Sequence, residues 1–249
     1  MRKPKGFTLI ELLVVIAVIV LLMALLLPTL QQVRKEAKGV LCRSNLYEWG
    51  FAFSMYAGDH NDRFFDDGGV VIGYLYDIND VRLCPMAMKH KDRADDPWAL
   101  AGVHSRFGGK FSAWTHSYPG RATIYHSYGI NDWIRDTRHE YFWRTPGAKN
   151  TANAPVYLDC AGPGAGPFAY NAPPQYDDAI GSGMSYFCIN RHDGGINSLF
   201  MDWSVRKIGL KELWTLKWHR RFYTAGPWTK AGGVQPEDWP HWMQRFKDY

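Results

Sequence analysis

Apolar residues run almost without interruption from Phe7 to Leu27, and Glu11 is the single charge among them. A run of about 20 such residues is long enough to cross a bilayer as a helix. Past Pro28 the pattern becomes amphipathic. Cys42, Leu46, Trp49, Phe53 and Tyr56 recur at spacings of four, three, four and three, which marks one face of a helix. Arg34, Lys35, Glu36 and Lys38 fill the stretch before that face, and Gly58-Asp59 supplies a stop. The pattern predicts a helix over 7–56, about 75 Å long at 1.5 Å per residue. Its first half would face lipid or other helices, and its second half would carry a folded body. Gly39 and Gly50 weaken it slightly.

Beyond position 59 the chain reads as β structure with long loops. Turn-forming clusters are dense: Asp66-Asp67-Gly68-Gly69, Gly108-Gly109, Pro146-Gly147 and Gly162-Pro163-Gly164. Short strand-like runs lie between them at 70–76, 156–158 and 184–189. The clearest unit is 196–208, two runs flanking Asp202-Trp203 as in a tight hairpin. The expected class is α+β, one long helix packed on an antiparallel sheet. In the tail, Leu210, Leu213, Trp214, Lys217, Trp218, Arg221 and Phe222 fit a short amphipathic helix. Gly226-Pro227, Gly232-Gly233, Pro236 and Pro240 then break regularity. The expected divisions are a leader (1–6), a membrane or filament-core helix (7–27), its amphipathic continuation (28–58), a β-rich globular domain (59–208) and an aromatic-rich strap (209–249).

Composition narrows the function classes. A hydrophobic share of 46% with 21% charged residues fits a body with a real core, not a disordered chain. The net charge of +5 is small and partly local, because Arg2, Lys3 and Lys5 precede the apolar run. Elsewhere the basic residues form only short pairs, Arg206-Lys207 and Arg220-Arg221. A nucleic-acid footprint needs clustering on one face, so no nucleic-acid partner is expected.

The N-terminal run is too long for a secretory signal peptide and meets Leu27-Pro28-Thr29 without a small-residue cleavage site. The basic leader would stay cytoplasmic under the positive-inside rule. A plain anchor leaves Glu11 unexplained, since a carboxylate inside a span costs about 3 kcal/mol or more and normally has a partner. The string Gly6-Phe7-Thr8-Leu9-Ile10-Glu11 resembles the type IV prepilin processing motif. The resemblance implies cleavage after Gly6 and methylation of Phe7 by a membrane prepilin peptidase. It also implies that Glu11 pairs with the N-terminal amine of a neighbouring subunit, and that Pro28 loosens the helix. A protonated amine would remove the penalty of the buried carboxylate. The implied location is the bacterial inner membrane, as a single pass with a cytoplasmic leader. The body would be periplasmic or, after assembly, extracellular.

The four cysteines, Cys42, Cys84, Cys160 and Cys188, lack C-x-x-C spacing, which argues against a zinc ribbon. An even count in an exported chain suggests two disulfides. Of three pairings, the sequence-adjacent one, Cys42–Cys84 with Cys160–Cys188, is favoured. The body also resembles a group of bacterial pilin-like proteins common in planctomycete-type bacteria, whose mark is H-x9-D-G. Here His192 is followed after nine residues by Asp202, with Trp203 in place of the glycine. Trp does not suit the positive φ of an Asp-Gly turn, so the turn type stays open.

The remaining chemistry reads as structural. Asp59, Asn61, Asp62, Asp66 and Asp67 are oxygen donors that bring calcium to mind. Their spacing is not that of an EF-hand, and Asp and Asn are ordinary turn residues. A solvated loop is expected there, with no cofactor. His192, Asp193 and Asp202 lack a third placed ligand and read as polar groups fixing a turn. Ser182 lacks the G-x-S-x-G elbow. The expected function is a non-enzymatic pilin or type II secretion pseudopilin subunit. Its partners would be further copies, other pilin-like subunits and the prepilin peptidase. The alternatives are a surface pilin or adhesin that binds a carbohydrate or a partner through Trp214, Trp218, Trp228, Trp239 and Trp242, and an anchored exported enzyme.

Overall fold

The computed structural model describes residues 8–66, 80–88, 105–116, 124–149, 151–181 and 183–249. The expected strand over 70–76, together with Gly6, Phe7, Asp67 and Ser182, lies outside them. The chain divides into two compact units, Met1–Lys38 and Gly39–Tyr249. One helix, α1 (Leu9–Asp59), contributes to both.

In the first unit the helix starts at a capping box. The Thr8 hydroxyl accepts the N–H of Glu11 at 3.3 Å, and the Glu11 carboxylate accepts the N–H of Thr8 at 2.8 Å. Two N–H groups that the first turn cannot satisfy are thereby occupied. The apolar side chains from Leu9 to Leu27 are exposed, so this is no core helix of a globular protein. It has the length and composition to cross a membrane. Pro28 sits inside the helix, where it removes one backbone donor.

In the second unit, Gly39, Cys42, Leu46, Trp49, Gly50, Phe53 and Ala57 form the buried face of α1. The predicted four-three spacing is what places them on one side. The Trp49 ring lies tilted 4.7 Å from that of Tyr157, and Phe53 packs edge-on to the same ring at 5.7 Å. Each large side chain buried this way is worth roughly 1.5–3 kcal/mol. Side-chain donors fix the adjoining segment 80–88: Asn45 Nδ2 donates to the Leu83 carbonyl at 3.0 Å and Trp49 Nε1 to that of Val81 at 2.9 Å. The helix ends where expected, and Asn61 and Asp62 turn the chain with φ of 55° and 57°.

The strands are β1 (Ser105–Arg106), β2 (Trp114–His116), β3 (Ile124–His126), β4 (Tyr128–Asn131), β5 (Pro155–Asp159), β6 (Gly164–Ala165), β7 (Gly195–Phe200) and β8 (Val205–Gly209). The first three make a small antiparallel sheet, and the rest a five-stranded sheet in the order β6-β4-β5-β7-β8. Only the β4–β6 pair among these is parallel. The architecture is α+β and pilin-like: the long helix packed on a largely antiparallel sheet. The hairpin read at 196–208 is β7–β8, with Leu199 opposite Val205.

Two expectations about the rest of the body fail. The run 184–189 is not a strand. A 3-10 turn covers Gly183–Tyr186, and the amides of Phe187 and Cys188 both bond the Met184 carbonyl. Its apolar residues enter the core from a tight turn, which a hydrophobic run alone does not distinguish from a strand. In place of the expected short α-helix, the tail holds three 3-10 turns, Lys211–Thr215, Lys230–Gly232 and Pro236–Asp238, joined by irregular chain, and the first of them ends at an extended Leu216. Leu213, Trp214, Leu216, Trp218, Phe222, Trp239 and Met243 all join one core with Leu158, Ile196 and Phe200. The tail is therefore part of the body's core.

Candidate functional site

Two sets of residues carry chemistry. The first lies at the start of α1. Glu11 sits on its first turn, and its carboxylate also accepts the Thr8 hydroxyl at 2.7 Å. The capping box Thr8-Leu9-Ile10-Glu11 was legible in the sequence as T-x-x-E ahead of an apolar run. It escaped the sequence reading because Glu11 was explained by assembly alone.

The second set lies inside the body, where four segments converge. Cys42 comes from the buried face of α1. Cys84 follows the 3-10 turn Asp80–Arg82 and is held by the Ala87 amide bonding its carbonyl at 2.8 Å. Asp159 ends β5. His192 precedes β7 in a turn closed by its own amide on the Gly195 carbonyl at 2.9 Å, with Asp193 and Gly194 at positive φ. Cys84 Sγ is 3.4 Å from His192 Nε2, and that nitrogen is 3.1 Å from Asp159 Oδ2. Cys42 Sγ lies 3.7 Å from both Asp159 oxygens. Tyr128 donates its hydroxyl to Cys42 Sγ at 3.3 Å.

Arg191 and the backbone complete the surroundings of Asp159. Arg191 Nη1 donates to Oδ1 at 2.9 Å, and the Asn197 amide donates to Oδ2 at 2.8 Å. The electrostatics follow from burial and these partners. Burial works against an ionised Asp159, but His192, Arg191 and the Asn197 amide outweigh it and hold the carboxyl well below the usual range. Burial opposes a charged His192 as well, yet Asp159 and then Cys84 raise it to about 9. Burial likewise resists ionisation of Cys84. The hydrogen bond from Cys42, with those of His192 and the charge of Arg191, nevertheless lowers it to about 7. Cys42 is pushed up by burial, by its bond to Cys84 and by Asp159.

The disulfide expectation is corrected here: Cys42, Cys84, Cys160 and Cys188 are all buried free thiols. Cys160 Sγ accepts the Gly162 amide at 3.4 Å, and Cys188 Sγ lies 3.9 Å from Met243 Sδ, so each has its own local partner. Cys42 and Cys84 do meet, but in company with Asp159 and His192. The motif pair His192 and Asp202 separates. Asp202 is exposed and fixes the hairpin turn, accepting the amide and hydroxyl of Ser204 at 3.1 and 2.6 Å. Trp203 takes φ of 65° in that turn, the left-handed region a glycine would occupy more easily. The turn-fixing role read for both residues therefore holds for Asp202. The side chain of His192 instead goes inward to Asp159 and Cys84.

Among the described residues of the acidic loop, Asp59, Asp62 and Asp66 do not converge on a shared point; the group that does is the buried one. A surface cleft of about 350 Å³ lies beside Asn61, Arg63, Arg144 and Arg220 and does not contain His192. Asp159, Arg191 and Tyr128 were missed by sequence reading. The available signal was a lone carboxylate ending the apolar run of β5.

Residues 1–27 match the family model described as the prokaryotic N-terminal methylation motif. The chain is also similar to the type IV wide pilus major component PilA4 of Thermus thermophilus. The two are 46% identical over 61 residues, which is 24% of this chain and 47% of that protein. The aligned part thus spans about half the length of this curated relative. No solved structure matches the chain. The motif and this relative both point to similarity with type IV pilins.

Proposed function

We propose that the chain is a filament subunit that polymerises through its processed N-terminal helix, as a type IV pilin or a type II secretion pseudopilin. One observation carries the reading. A membrane-length helix exposes its apolar side chains along Leu9–Leu27 and holds one carboxylate, Glu11, on its first turn. An apolar helix of this kind is covered first by lipid and then, on assembly, by the same helices of neighbouring subunits. Prepilin peptidase cuts after Gly6 and frees the amine of Phe7. That amine, on an adjacent subunit, meets Glu11 and fixes the axial register. An ion pair with low exposure removes the cost of a lone carboxylate in lipid.

Burial of three of the five tail tryptophans weighs against the carbohydrate-binding alternative: Trp214, Trp218 and Trp239 are at most 2% exposed and offer no face on which a sugar could stack, while Trp228 and Trp242 are partly buried against the same core. The test is mass spectrometry of the N-terminal peptide from membrane and sheared-filament fractions. A peptide beginning at N-methylated Phe7 in sheared filaments is the expected result. Protein that keeps Met1–Gly6 and stays in membranes would reduce the helix to an anchor and end the filament reading. Deleting the secretion or pilus machinery separately then tells pseudopilin from surface pilin.

A further inference from the structure

We propose that Cys42, Cys84, Asp159 and His192 form a structural zinc site inside the body, a role independent of how the N-terminal helix is used. Each offers a ligand atom of a type zinc binds: two thiol sulfurs, an imidazole nitrogen and a carboxylate oxygen. All four atoms lie within 4.8 Å of one another, and all four residues are buried. Tetrahedral zinc, with bonds of about 2.3 Å to sulfur and about 2.0–2.1 Å to nitrogen and oxygen, separates its ligand atoms by about 3.3–3.8 Å. The pairs in the structure stand at 3.4 Å (Cys84 to His192), 3.1 Å (His192 to Asp159) and 3.7 Å (Cys42 to Asp159). These three edges are close to those of a zinc polyhedron, and the other three are no longer than 4.8 Å.

Charge supports the same assignment. Two thiolates and the Asp159 carboxylate carry three negative charges, and the buried Arg191 carries one positive charge. A dication at the centre brings the interior to neutrality, which an apolar core demands. On binding, the protonated thiols and the His192 imidazolium release their protons to solvent, so that the sulfurs bind as thiolates and the imidazole as the neutral base through Nε2. Two thiols select zinc over calcium, a hard cation that takes oxygen ligands.

The surrounding bonds have the form of an outer shell. Arg191 and the Asn197 amide orient the carboxylate, and the Tyr128 hydroxyl reaches Cys42 Sγ. The ion would tie the helix face, the 80–88 segment, the end of β5 and the turn before β7 at one point. The competing use of the same thiols is a Cys42–Cys84 disulfide, which would remove two of the four donors.

The test uses the full chain, purified in detergent and held reduced and metal-free. Titration with Co²⁺ should give thiolate charge-transfer and tetrahedral ligand-field bands that saturate at one equivalent and are bleached by Zn²⁺. Protein isolated without chelator should hold about one zinc per chain. Cys84→Ser and His192→Gln should weaken cobalt binding at least about tenfold, the scale on which metal sites lose affinity when damaged. Cys188→Ala, outside the cluster, should leave it unchanged. The wild-type spectrum decides the matter even if a variant fails to fold. Absence of tetrahedral bands with all thiols reduced would overturn the site. So would native protein that is metal-free and carries a Cys42–Cys84 disulfide.

Discussion

Arg191 and Asp159 form a 2.9 Å ion pair in which neither side chain is exposed to solvent. The guanidinium does more than neutralise the carboxylate. It also donates to the carbonyls of Ser127 at 2.5 Å, Gly109 at 2.8 Å, Lys110 at 3.1 Å and Cys160 at 3.2 Å. One side chain thus satisfies acceptors from the approach to β2, from the β3–β4 junction and from the end of β5.

Removing Arg191 takes from the buried Asp159 carboxylate its guanidinium partner and from four carbonyls a donor. Arg191→Met should cost about 3–5 kcal/mol, the range for breaking a buried pair from one side. Arg191→Lys should recover little, because an ammonium cannot reproduce the planar fork of donors. Chemical denaturation of the full chain in detergent, followed by tryptophan fluorescence, reads both. A loss below about 1 kcal/mol in Arg191→Met would contradict this account of the interior.

His219 should make the body acid-sensitive. Its ring packs edge-on to Tyr141 at 4.7 Å and lies against Trp133, Phe168 and Phe222. Its Nδ1 is buried without a partner. Burial, and secondarily the charge of Lys217, lowers it to about 4. The folded state thus holds a neutral ring at pH values where the unfolded chain, with a pKa near 6.5, takes up a proton. Stability is unaffected by this residue above about pH 6.5 and falls as pH drops from there towards 4. Between pH 7 and pH 5 the loss is on the order of 2 kcal/mol. His219→Phe should be as stable as the parent at pH 7 and should lack this part of the decline at pH 5. Parallel pH slopes for the two proteins would refute the assignment.

The local patterns were legible and the convergent ones were not. Four-three spacing identified the buried face of α1, and two apolar runs about Asp202-Trp203 identified the β7–β8 hairpin. Both depend only on side-chain periodicity within one element. The tail misled for a physical reason. Its apolar residues fit helical spacing, but they reach the core from short 3-10 turns and irregular chain, where the fit to the core sets the backbone. The interior cluster had no local pattern at all. Cys42 meets Asp159 across 117 positions, and Cys84 meets His192 across 108. An even cysteine count suggested disulfides because counting carries no information about what else shares the space.

Trp239 provides a direct test of what the tail does. It lies 5.4 Å from the Trp214 ring and 5.6 Å from that of Trp228, and the Lys211 ammonium sits 4.9 Å from its centroid. Lys211 in turn pairs with Asp248 at 2.6 Å, closing the chain end over the core. Trp239→Ala should cost about 3–5 kcal/mol, as expected for emptying a large core site. The thermal midpoint of the full chain measures it. Retained stability with loss of binding to a sugar array would instead place this tryptophan at a recognition surface.

Glu11 has two roles that one pair of substitutions can separate. Its carboxylate closes the capping box with Thr8, and in the proposed filament its charge meets the amine of a neighbour. Glutamine can still close a capping box, since either Glu or Gln serves at that position. It cannot form an ion pair. Glu11→Gln should therefore leave membrane insertion and cleavage intact and lower the amount of subunit in sheared filaments at least tenfold. Thr8→Ala has the opposite effect on the two roles: it removes the cap, worth about 1 kcal/mol, and keeps the charge. It should leave filament yield within a factor of two or so, because the span is long and held by the membrane. Quantitative immunoblots of sheared and membrane fractions decide between the roles. If Glu11→Gln assembles normally while Thr8→Ala does not, the carboxylate serves the helix end of its own subunit, and axial register must come from packing of the apolar helices alone.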